Sequence, residues 1–79
     1  MATHLTGDEI DQARIHLRET EKDLSEFEHR YIMSTADFFS RWQAGQTDDR
    51  MDYVEWASLA QMAENLRKRL AFLSGESQK

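Results

Sequence analysis

The chain has 79 residues, no cysteine, no proline and a formal net charge of -5, which fits one small domain and excludes a disulfide framework or a thiolate metal site. No apolar run approaches the roughly 20 residues that cross a bilayer. Met1-Ala2-Thr3-His4 lacks the basic and apolar regions of a signal peptide, so a cytoplasmic location is expected. The negative balance argues against a general nucleic-acid binder, because phosphate binding rests on clustered Lys and Arg, and it suits a basic partner instead.

Three segments share one helix-start grammar: an apolar residue, a capping residue, an acid three positions on, then an apolar residue that staples back. They are Leu5-Thr6-Gly7-Asp8-Glu9-Ile10, Met33-Ser34-Thr35-Ala36-Asp37-Phe38 and Met51-Asp52-Tyr53-Val54-Glu55-Trp56. The first opens a helix expected over about 6–32, with Ile10, Leu17, Leu24 and Tyr31 in one heptad position and Ala13, Thr20 and Phe27 in the companion position. The second opens a short helix over about 34–44, with Phe38, Phe39 and Trp42 on its apolar side and Gly45 as its cap. The polar connection Gln46-Thr47-Asp48-Asp49-Arg50 follows. The third opens a helix over about 52–74, in which Trp56, Ala63 and Leu70 alternate with Leu59, Leu66 and Leu73 before Gly75 stops it and the tail Glu76–Lys79 frays.

The fold class is therefore all-α, one domain over 1–79. At 1.5 Å per residue the long helices span roughly 35 to 40 Å, so an antiparallel hairpin with the short helix at the turn is the simplest arrangement. Ala57, Ala60 and Met62 widen the apolar surface of the third helix beyond one neighbour's needs. They are the candidate self-association residues, and either a dimeric four-helix bundle or a foreign protein would complete the fold.

No pattern carries catalysis or a cofactor. Glu26-x-x-His29 has the spacing of carboxylate-bridged metal bundles, but with Leu24 and Phe27 on the seam both residues point to water. His4, His16 and His29 lack triad partners, and Gly7, Gly45 and Gly75 fall at helix ends rather than in a phosphate loop. Arg67-Lys68-Arg69 complements the helix C-terminus and can pair with Glu19, Glu21 or Asp23. About seven residues separate the second and third helices, too many for the tight turn of a DNA-binding helix-turn-helix. No metal, cofactor, membrane or small-molecule substrate is expected.

The aromatics concentrate between Tyr31 and Trp56. Most belong in the core, yet adjacent Phe38 and Phe39 cannot both face one narrow stripe, and Tyr53 and Trp56 compete likewise. An aromatic left outside would anchor a protein partner, beside an acidic rim that meets a basic surface. The candidate partner-binding residues are Phe39, Trp42, Asp48, Asp49, Asp52, Tyr53 and Trp56.

The pattern Tyr31-x-Met33-Ser34, Phe38, Trp42, Gly45, Asp48-Asp49, Asp52-Tyr53, Glu55-Trp56, Leu59, Met62, Leu66 and Leu70 resembles a group of small bacterial and archaeal helical proteins described as antitoxins. The resemblance covers about half the chain. It implies a protein that binds and covers a small basic toxin encoded beside it, with Trp42, Tyr53 and Trp56 as anchors and the acidic residues in a basic groove. The residue-based alternative is a self-associating helical scaffold.

Overall fold

A computed structural model describes residues 6–73, with side chains from Glu9 onward. Three helices follow in order, α1 (Thr6–Tyr31), α2 (Thr35–Gln43) and α3 (Met51–Leu73). The two long helices pack against each other as a hairpin, and α2 lies across one face at the turn end. The cap at Leu5-Thr6, the stop at Gly75 and the tail Glu76–Lys79 lie outside the described side chains.

The expected seam of α1 faces inward: Ala13, Thr20, Leu24 and Phe27 are buried, while Ile10, Leu17 and Tyr31 are half-buried. Thr20 tolerates burial because its hydroxyl donates to the His16 carbonyl at 2.8 Å and rests on Met62 Sδ at 3.8 Å. On α3 the inward positions are Trp56, Ala57, Ala60 and Ala63. Leu59, Leu66 and Leu73 are displaced to the flank and only half-buried, which corrects the expected seam. The displacement is steric: Trp56 fills the space between Phe27 of α1 and Phe38 of α2, and the small Ala57, Ala60 and Ala63 let α3 approach its neighbours with the leucines turned to the flank.

Both turn-end caps are Schellman motifs. After α2, Gly45 is left-handed (φ 72°), with Gln46 N–H donating to the Arg41 carbonyl at 2.9 Å and Gly45 N–H to the Trp42 carbonyl at 3.1 Å. After α1, Ile32 occupies the same position (φ 53°), and Met33 N–H reaches the Glu28 carbonyl at 3.2 Å. Ser34 then caps α2 as expected, its hydroxyl accepting from Asp37 N–H at 3.1 Å. Glu28 Oε2 adds a bond from Thr35 N–H at 2.7 Å.

The third expected cap is corrected. Arg50 supplies the carbonyl that starts α3, accepting from Tyr53 and Val54 N–H at 3.0 and 3.1 Å, so Asp52 stands inside the first turn. Asp48 holds Arg50 in place, its Oδ1 accepting from the Arg50 N–H at 3.1 Å and from Nε at 3.0 Å, and its Oδ2 from Nη2 at 2.9 Å. The result is a thin slab. Its radius of gyration is 15.1 Å, against about 12 Å for a compact chain of this length.

Candidate functional site

The expected aromatic anchors form the core of the turn end. Trp56 is 0% exposed, stacked on Phe38 at a centroid distance of 4.0 Å and flanked by Phe27 and Tyr31 at 5.5 and 5.7 Å. Its Nε1 donates to Thr35 Oγ1 at 3.0 Å, so even its polar atom is occupied. Trp56 cannot anchor a partner without unfolding the domain, which corrects that expectation. Tyr53 is half-buried beneath the Arg50 guanidinium, 4.6 Å from its ring centroid. Phe39 and Trp42 remain half-buried at the edge of the same cluster.

The expected acidic rim is partly engaged within the chain. Asp48 is chelated by Arg50, which holds its carboxyl below the usual carboxylate range. Asp52 accepts from the Tyr31 hydroxyl and, at 3.0 Å, from Arg30. These contacts, the Tyr31 bond first, likewise hold Asp52 low against a desolvation that pushes it up. Asp49 is exposed. Ala57 and Ala60, two of the three expected self-association residues, are buried within the single chain, since α1 and α2 close over them; Met62 stays 36% exposed.

The open surface lies elsewhere, in two grooves on opposite faces of the hairpin. One runs beside α2 and encloses about 450 Å³. Half-buried Phe39 stands over a floor of buried Leu24, Ala60 and Ala63, and Glu21, Glu28, Glu64 and Arg67 stand along its rim. Arg67 is paired with Glu21 at 3.2 Å, as its helix position led one to expect, so the rim is negative on balance.

The other groove lies on the face that α2 leaves bare, between α1 and the far half of α3, and encloses about 540 Å³. Ala13, Ile15 and Leu66 form its apolar part, with Glu9, Glu19 and Arg69 on its walls. Ile15 is 48% exposed. Leu59, Met62, Leu66, Arg69 and Leu73 continue this surface along α3 at spacings of three and four. That is a second heptad stripe, turned about 100° from the one that meets α1. Sequence reading missed it because the two stripes interleave on one helix, and leucines at heptad spacing looked like the α1 seam.

Glu26 and His29 are exposed, and no group of three or more His, Asp or Glu residues placed to hold a metal occurs among the described residues. No helix among them is long and apolar enough to cross a membrane. The chain matches no known family model, no curated protein and no solved structure.

Proposed function

We propose that this chain is a non-enzymatic protein-binding module whose groove beside α2 receives a basic amphipathic segment of a partner. The supporting observation is the pairing of half-buried Phe39, over a floor of Leu24, Ala60 and Ala63, with three rim carboxylates. Of these, Glu21 faces Arg67 across the groove, Glu64 pairs with Lys68 along α3 and Glu28 accepts from Thr35 N–H. A helix laid in such a groove buries its apolar side and sets Lys or Arg against the acids. The net charge of -5 steers cationic partners to the surface. In its sharper form, which rests on the antitoxin resemblance, the partner is a small basic toxin, neutralised in the cytoplasm by being covered.

The test is calorimetric titration with a Lys/Arg-bearing amphipathic peptide and with its Glu-bearing counterpart. The basic peptide binds, and a Glu21→Lys/Glu64→Lys double variant of unchanged helicity weakens it at least tenfold. Equal affinity for both peptides, or indifference to the double variant, would sink the reading. The antitoxin form has its own test in cells: expressing the small basic protein encoded beside this chain arrests growth, and co-expressing the chain restores it.

A second reading, self-association, has its own observation. The stripe Leu59, Met62, Leu66 and Leu73 on α3 is only half covered by α1, Met62 touching Thr20 at one edge, and among the described residues the open end of the hairpin buries only Ala13, Thr20 and Ala63. A second copy would complete a four-helix bundle on the face away from α2.

A further inference from the structure

We infer that the bare face of the hairpin is occupied by a second copy of this chain, related by a two-fold axis along the hairpin, so that each α1 lies on the α3 of the other. The inference rests on the self-association reading and adds its geometry and the residues that set it.

Charge selects the arrangement. Arg69 interrupts the second stripe at a position that otherwise carries Leu or Met, and it forms no ion pair among the described residues. Glu9 and Glu19 stand on the α1 wall of the same groove, with Gln12 and His16 between them, and neither is paired there. All three are exposed, and no ion pair joins them within one chain among the described residues. A two-fold along the hairpin keeps both open ends at the same level and sets Arg69 of each copy between Glu9 and Glu19 of the other. A two-fold across the hairpin would stack α1 on α1 and α3 on α3, which sets Arg69 over the α3 of the other copy and away from Glu9 and Glu19. Interfaces of this kind use one patch on both subunits and must be self-complementary, and of the two arrangements the first pairs Arg69 with the glutamates. A single polar residue in a heptad stripe is also a known means of fixing register.

The area is adequate. Two adjacent helices of roughly 35 to 40 Å, each about 10 Å wide, present about 700–800 Å². A stable interface needs about 800 Å² per partner. Leu66 and Met62 would lie near its centre and the charges toward its edge, as such interfaces are built.

The test is sedimentation equilibrium of the full chain across a concentration series, with charge variants at exposed positions that leave helicity intact. The wild-type chain sediments at twice 9.3 kDa. Arg69→Glu raises the dimer dissociation constant at least tenfold, Glu9→Lys/Glu19→Lys does the same, and the three changes together restore it to within about threefold. A monomer at every concentration overturns both the self-association reading and the arrangement. A dimer that ignores the single swaps, or a triple variant no better than either parent, overturns the arrangement while leaving self-association standing. Met62→Glu provides an independent check: it leaves the helix content and dissociates the dimer, and an intact dimer would overturn the assignment of this face.

Discussion

The two ends of the hairpin solve the packing problem differently. At the turn end, Phe27, Tyr31, Phe38, Tyr53 and Trp56 interlock across three helices, and the indole N–H finds Thr35. At the open end the interior side chains are Ala13, Thr20 and Ala63, while Ile10, Leu17, Leu66, Leu70 and Leu73 are only half covered. Among the described residues only the turn end has a third helix to complete its layer. Where that helix is missing, leucines at good spacing do not make a core. They stay half exposed.

The largest expected effect breaks the strong end. Trp56→Ala removes the residue on which three helices converge and should cost about 3–5 kcal/mol, enough to unfold a domain of this size in thermal denaturation followed by circular dichroism. Leu66→Ala, at the weak end, should cost only about 1 kcal/mol in dilute solution. In the proposed dimer its cost should rise with protein concentration, because there Leu66 packs against the second copy. Equal costs at both ends, independent of concentration, would remove the contrast. Hydrogen exchange sharpens it further: amides over 10–17 and 66–73 should exchange through local opening, while those around Phe27 and Trp56 exchange only on global unfolding.

Next in size is a comparison within the turn end. Gly45 and Ile32 hold the same left-handed cap position, yet one is free of steric conflict and the other is a β-branched residue, 87% exposed, whose methyl groups crowd that conformation. Ile32→Gly should therefore raise stability by about 1 kcal/mol in a denaturant titration, whereas Gly45→Ala should lower it by a similar amount. No contact opposes the added methyl at Gly45, so that loss would come from backbone conformation alone. A destabilised Ile32→Gly chain would mean that the isoleucine makes a contact worth more than its strain.

The helices were legible because capping and heptad signals are local. Ser34 and Gly45 act as their types demand, and the α1 seam follows its sequence positions from Ala13 to Tyr31. The site was less legible because burial is a competition among elements. Trp56 stood both on the expected α3 seam and among the candidate anchors, and the stacking of Phe38 of α2 on it decides for the core. Ala57 and Ala60 looked like spare surface because no residue type reports how closely two helices approach. Arg69 passed for one charge in a basic run, and only its place in a stripe interrupted nowhere else gives it a role. The chelation of Arg50 by Asp48 depends on loop geometry that charge counting does not supply.

The smallest effect concerns the contact that ties the start of α3 to the end of α1. The Tyr31 hydroxyl donates to Asp52 Oδ2, and Arg30 Nη1 reaches the same oxygen at 3.0 Å. The Tyr31 bond holds the Asp52 carboxyl below its ordinary value of 3.8, so the ionised form is favoured by folding. That contribution is complete above the ordinary carboxylate range and is lost as pH falls through the lowered folded value. The same bond, with desolvation, raises the Tyr31 hydroxyl above its ordinary 10.0, so its contribution is complete below that value and is lost as pH rises through the raised one. Between about pH 5 and pH 9 neither group titrates and the contact is at full strength. The melting-temperature difference between wild type and Tyr31→Phe should therefore be small and flat across that window, shrinking on both the acid and the alkaline side. Because Tyr31→Phe keeps the ring against Trp56 and Tyr53, a difference that persists unchanged down to pH 2 would show that the Tyr31 hydroxyl contributes independently of the Asp52 charge.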